Sequence, residues 1–205
     1  MNNSIIIKKV ELGLTGGMKC NIKAFIGVVS VLSLCTTFNV HAENWTLSSK
    51  SKVGFDIKSM GISIVKGTFD QVQSKMNFNI QHPNQASINL VMKVDSLDVN
   101  KSSLKNEIMG PDLFYATKFK TVTFKSTQFK PLEKEKYNIQ GNLTIRGITK
   151  PVTFKTTLRP DLTNAKKLNI YASTIIKRSD FGMEPATAGV GERVNLQISG
   201  QWITQ

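Results

Sequence analysis

Residues able to do chemistry are scarce in this chain, and the scarcity excludes several function classes. Two histidines occur among 205 residues, and one of them, His41, falls in the leader described below. The other, His82, sits in a His82-Pro83-Asn84 turn. A metal site needs three or four converging donors, and no cysteine, second histidine or carboxylate cluster stands ready to join His82. The strings GxSxG, HExxH and the Gly-rich phosphate loop are absent. His82 is the sole histidine that could serve a Ser–His–Asp site. These observations predict no catalytic residue, no metal and no cofactor, hence a protein that is not an enzyme.

Two arginines offer a different chemistry. In Arg178-Ser179-Asp180-Phe181-Gly182, Arg178 near a strand end either holds an anionic head group or joins Asp180 in anchoring the loop, with Gly182 at positive φ. Arg146 carries the same alternatives, head-group contact or turn anchor. The remaining resource is apolar. Phe55, Met76, Phe78, Leu90, Met92, Phe124, Leu143, Ile145, Phe154, Ile170 and Leu196 would all point inward if the segments carrying them close around one dry interior. Phe114 and Phe119 lie beside that interior in an irregular stretch. Such rows line either an ordinary packed core or the bed of a long apolar ligand.

The elements that must position these residues are strands. From Tyr137 to Leu158 the clearest pair appears: Tyr137, Ile139, Leu143 and Ile145 share one parity, with Gly141 among them, and polar residues take the other. A period of two gives an extended strand with one dry face. After a turn from Arg146 to Pro151 the pattern resumes with Val152, Phe154, Thr156 and Leu158, as expected for an antiparallel hairpin. Similar alternation marks Val53 to Ile57, Val72 to Ile80, Ile88 to Val94, Leu168 to Ile176 and Val194 to Trp202, and Gly67 reads as a bulge or bend. In Ser102 to Met109 the rhythm changes. Leu104 and Ile108 would share a helix face, Ser102 or Ser103 could cap it, and Gly110-Pro111 ends it. The segment from Ser102 to Tyr115 is a candidate lid. The pattern predicts an all-β antiparallel fold of about eight strands with a short helical insertion. Alternation does not choose between a barrel and a sandwich, although closure removes exposed edges and about eight strands leave room for a slender ligand.

A basic start at Met18-Lys19, an apolar run from Ala24 to Phe38 and the exit Val40-His41-Ala42 fit a secretory signal cut after Ala42. The apolar run is shorter than the roughly 20 residues of a membrane span. Residues 1–42 are thus expected to be a leader, with 1–17 as an extra extension, and 43–205 one exported domain, which the resemblance described next makes a periplasmic barrel. Both cysteines, Cys20 and Cys35, would leave with the leader, so the mature domain relies on burial alone. The whole chain carries a net charge of +13; residues 43–205 hold 23 basic and 13 acidic residues, a net of +10. That excess suits either transient contact with an anionic membrane surface or a solvated, Lys-rich exterior. Export argues against nucleic acid as a partner.

Several strings together resemble the YceI family of exported, lipocalin-like barrels. They are Trp45-Thr46-Leu47, Ser51-Lys52-Val53-Gly54-Phe55, Gly67-Thr68-Phe69, Asp112-Leu113-Phe114-Tyr115-Ala116, Val122-Thr123-Phe124, Gly141 to Val152, Arg178 to Gly182 and Val190 to Val194. The resemblance implies a lipocalin-like barrel that binds polyisoprenoid or another lipid, with the chain running inside. It carries no enzymatic role. Where the family often has His near its first strand, this sequence reads Lys50-Ser51 and Lys58-Ser59-Met60-Gly61, and Lys120 stands in place of a common Pro. The leading expectation is an exported carrier of an isoprenoid quinone, polyisoprenoid or fatty acid derivative. The alternative is a non-catalytic periplasmic stress or interaction protein whose packed barrel acts through its basic surface.

Overall fold

The computed structural model describes residues 43–59, 62–183 and 191–204. The expected leader, residues 1–42, lies outside these residues, as does Val190. Eleven strands follow in chain order: β1 (Glu43–Leu47), β2 (Lys52–Ser59), β3 (Ile62–Phe69), β4 (Val72–Phe78), β5 (Ser87–Lys93), β6 (Leu97–Val99), β7 (Thr121–Pro131), β8 (Lys136–Ile145), β9 (Ile148–Pro160), β10 (Lys167–Lys177) and β11 (Arg193–Thr204). One short helix, α1 (Lys105–Met109), is found among the described residues.

Hydrogen bonding runs β1-β4-β5-β7-β8-β9-β10-β11, and β1 then pairs with β11 through Trp45↔Thr204 and Leu47↔Trp202. This closes an antiparallel barrel of eight strands, settling the choice that alternation left open. β2 pairs with the earlier half of the same β11, Val194↔Ile57 to Ser199↔Lys52, so β1 and β2 lie end to end along one neighbour. The break between them is tied down by Ser51, whose Oγ accepts from the Gln201 N–H and donates to the Gln201 carbonyl, each at 3.1 Å. Gly200, at φ 145°, leaves the space Ser51 needs. β3–β4 and β5–β6 are interrupted in the same way, and together these continuations deepen the wall at one end.

Burial alternates as the hydrophobic pattern requires, most clearly in β8, where Tyr137, Ile139, Gly141, Leu143 and Ile145 face inward. Two features correct the sequence reading of the hairpin. Its turn is only Arg146-Gly147, both at positive φ (52° and 74°), as a type I′ turn demands. Ile148 to Pro151 therefore belong to β9, paired with Asn142 to Ile145. A proline is tolerated there because β10 pairs with β9 only over Lys155–Pro160, leaving that stretch of β9 an unpaired edge. Gly67, expected as a bulge or bend, sits in a regular ladder opposite Phe55. Its missing Cβ makes room for the Phe55 ring, as Gly141 does for Phe124, since a Cβ at either would come within 2.6 Å of the ring. The register shift in that hairpin falls instead at Ile57/Lys58. A second shift, between Ser126 and Gln128, flips the parity of β7 and turns Phe129 inward, where it is 1% exposed.

Candidate functional site: an apolar tunnel

Two ends of the barrel differ. At one, β4 leads to β5, β7 to β8 and β9 to β10 by short links, and aromatic rings fill the interior: Phe78 lies 5.9 Å from Tyr137 and 6.4 Å from Phe129 between centroids. Met76 and Trp202 are fully buried. Here the barrel is closed. At the other end the segment between β6 and β7, residues 100–120, folds back over the opening. Leu104 and Ile108 do share a face toward the interior, but the cap differs from expectation. Neither Ser102 nor Ser103 caps a helix; a 3₁₀ turn over Ser102–Leu104 leads into α1 with no side-chain cap bond. Phe114 follows and drops into the mouth, its ring 6.1 Å from both Phe55 and Phe69. Arg146 holds this plug in place, its Nη1 donating to the carbonyls of Pro111 (2.8 Å) and Leu113 (2.6 Å).

Beneath the plug lie three cavities in series. The mouth cavity, about 80 Å³, is lined by Phe55, Ile57, Leu104, Ile108, Phe114, Ile145, Ile176, Met183, Leu196 and others, with Glu107 and Arg178 as the charged members among the described residues. A middle cavity of about 50 Å³ shares Phe55, Phe114, Ile145 and Leu196 with it and adds Met92 and Leu143. A deep void of about 10 Å³, room for about one water, shares Leu90, Phe124, Phe154 and Ile198 with the middle one and ends at Trp202. From Val194 to Trp202 the strand rises about 26 Å. With strand tilts of about 35–45° the tunnel extends roughly 20 Å along the axis. Its walls offer apolar contact and exclusion of water rather than directed polar contacts.

Of the residues singled out by sequence, Phe55, Leu90, Met92, Phe114, Phe124, Leu143, Ile145, Phe154, Ile170 and Leu196 line one or more of these cavities. Met76 and Phe78 lie in the closed base instead. Phe119 packs outside, its ring 3.1 Å from where a Cβ on Gly147 would stand. Arg146 is engaged with the plug carbonyls and lines none of the three cavities. Arg178 does line the mouth and is 3% exposed. Its backbone N–H donates to the Glu192 carbonyl (3.1 Å). The Glu192 carboxylate in turn accepts from the Ser179 hydroxyl and backbone N–H. These hydrogen bonds, with the positive charges of Arg178 and Lys177, hold its pKa below the ordinary carboxylate value. Gly182 adopts the left-handed conformation expected of it (φ 65°). Sequence reasoning does not single out Ile57, Ile176, Val194 or Met183. The first three continue rows already recognised, whereas Met183 follows a turn and carries no periodic signal. His82 is exposed, at the start of a 3₁₀ turn over Pro83–Gln85 on the closed end, remote from the tunnel.

Comparison with known proteins agrees with this architecture. A model of the YceI-like domain matches residues 45–202. A UPF0312 protein of Photorhabdus laumondii is 28% identical over 197 residues, covering 95% of this chain and 96% of its own. Among solved structures, BcnA of Burkholderia cenocepacia superposes with a TM-score of 0.69 at 26% identity, over 78% of this chain and 99% of that one. A polyisoprenoid binding domain from Saccharophagus degradans shares the fold at a TM-score of 0.60 and 11% identity, over 80% and 100% of the two chains. With the family match spanning nearly every strand of the barrel, the chain belongs to the YceI-like family.

Proposed function

We propose that this protein is an exported, non-catalytic carrier that holds the long apolar chain of a polyisoprenoid, isoprenoid quinone or fatty acid derivative inside its barrel. The observation that carries the reading is the series of three adjoining apolar cavities, sharing lining residues, between the mouth and the aromatic base. Burying about sixteen methylenes at ~0.8 kcal/mol each yields roughly 13 kcal/mol, comparable with the roughly 4–15 kcal/mol cost of association. The Saccharophagus neighbour is a polyisoprenoid binding domain, and its shared fold supports the same class of ligand here. Export to the periplasm rests on the basic start, apolar run and small-residue exit of residues 18–42, which the YceI-like domain match, residues 45–202, leaves outside. The polar end of the ligand meets Arg178 and Glu107 at the mouth.

Leu196→Trp tests the reading, because Leu196 stands at the neck between the mouth and middle chambers. A fluorescent prenyl or acyl probe is expected to saturate the parent protein at one per barrel and to bind the variant at least tenfold more weakly, with cooperative unfolding retained. Equal binding by both proteins would show that the probe does not use the tunnel.

A further inference from the structure

Lys and Arg are spread over the whole exterior, yet one patch differs from the rest in both charge and composition. It consists of the chain from Tyr115 to Lys120 and the hairpin turn from Arg146 to Lys150, which together carry Lys118, Lys120, Arg146 and Lys150 and no carboxylate. The two stretches are one surface. The Tyr115 and Phe119 rings meet edge to face at 6.0 Å, Phe119 rests against Gly147, and Ile148, adjacent in sequence, rests against Gly182 beyond the end of the neighbouring β10. Lys118 Nζ stands 5.4 Å from the Phe119 centroid and 5.9 Å from that of Tyr115, so cation and aromatic faces are presented together. Ile148 is 37% exposed, although it shares the parity of the inward-facing Phe154 and Leu158. The closed end is built otherwise: Glu133 and Glu135 accompany Lys134 and Lys136, and Glu135 pairs with Arg159 at 3.0 Å.

We propose that this rim is a docking surface for an anionic lipid bilayer and that the protein meets the membrane mouth first. Interfacial aromatic rings, a protruding aliphatic side chain and lysines with no carboxylate in the same stretches are the combination that headgroup-level binding uses. Each basic residue near an anionic surface contributes on the order of 1 kcal/mol. Tyr115 to Lys120 are the last residues of the segment that covers the tunnel, whose earlier part carries the exposed Glu107 and Asp112 beside Lys101 and Lys105. Docking through them brings the mouth chamber to the lipid from which a chain would be drawn. That purpose rests on the carrier reading. The docking does not, and it is measured without cargo.

The test uses protein recovered after expression of the full chain, mixed with vesicles of phosphatidylglycerol and phosphatidylcholine or of phosphatidylcholine alone. Binding is expected only to the anionic vesicles. Lys118→Glu with Lys120→Glu and Lys150→Glu is expected to weaken it at least tenfold, while Lys134→Glu with Lys136→Glu and Lys166→Glu at the closed end changes it less than twofold. A second readout does not depend on charge. The native Trp45 and Trp202 are buried, so Ile148→Trp is expected to add emission that brominated lipid quenches, and Leu132→Trp at the opposite end emission that it does not. Equal losses from the two charge reversals, quenching at position 132 rather than 148, or no binding by the parent protein would each overturn the proposal. A protein that docks but takes up no prenyl or acyl probe would leave the docking intact and remove the carrier reading alone.

Discussion

The closed and open ends of this barrel are built from similar strands but solve opposite problems. At the closed end the interior is occupied by protein: Phe78, Phe129 and Tyr137 interlock, Trp45 donates its Nε1–H to the Phe78 carbonyl at 3.4 Å, and Met76 and Trp202 have no exposed surface. At the open end the interior is left to cavities, and closure is delegated to a segment without regular strand structure, tied to the β8–β9 turn by Arg146. Stability and capacity are thereby separated along the axis. Rings in ordinary close packing supply the core, while the mouth keeps apolar walls that touch one another less completely and can part for a ligand.

Truncation at each end puts that division to the test. Trp202→Ala is expected to cost about 3–5 kcal/mol, the range for large aromatic deletions in a packed core, measured by denaturant unfolding. Phe114→Ala should cost less than half as much, because its ring already borders open space, and should increase the rate of probe entry. Equal costs would mean that the mouth is as tightly packed as the base.

Arg146 gives the next largest effect. Its guanidinium satisfies two plug carbonyls, and hydrogen bonds from charged groups contribute about 1.5–3 kcal/mol when well buried. Since one of these is exposed, Arg146→Ala should destabilise the whole protein by about 1 kcal/mol or less. Amide exchange across residues 111–119 should nonetheless accelerate clearly, with the base unchanged. Uniform acceleration around the barrel would assign Arg146 to global stability instead.

How far the sequence reveals this division depends on what period two encodes. It reports inside against outside, so the inward rows of β8, β10 and β11 are legible, and with them the cavity-lining places of Leu143, Ile170 and Leu196. It does not report height along the axis. Met76 and Phe78 have the same parity as Leu90 and Met92, yet they fall in the base because their strand pairs with β1 at its start. Phe129 is hidden by the extra residue in β7 that reverses parity. The turn reads too long because Pro151 resembles a breaker, and only the separation of β10 from β9 shows why it can remain in a strand. Met183 and the plug contacts depend on tertiary folding of irregular segments, for which the sequence holds no period.

The smallest expected effects are electrostatic and occur at both ends. Glu192 beside the mouth and Asp161 in the β9–β10 link at the base both have depressed pKa values, caused first by side-chain hydrogen bonds from Ser179 and Thr163 respectively. A carboxylate with a lowered folded-state pKa contributes stability above its unfolded value, and the contribution disappears as pH falls through the folded value. Titration followed by carboxyl NMR should therefore place both below ordinary Glu and Asp. Ser179→Ala should raise Glu192 while leaving Asp161 unmoved. A shift in both would join two regions that the structure keeps apart.

The carrier reading depends on a lipid occupying the tunnel, and native mass spectrometry of protein recovered from its own cells, followed by organic extraction, measures that occupancy. The expected spectrum holds a population heavier than the polypeptide by one prenyl or acyl lipid, with the added mass recovered in the organic phase. A bare polypeptide mass, together with no uptake of prenyl or acyl probes by the same protein, would contradict the carrier.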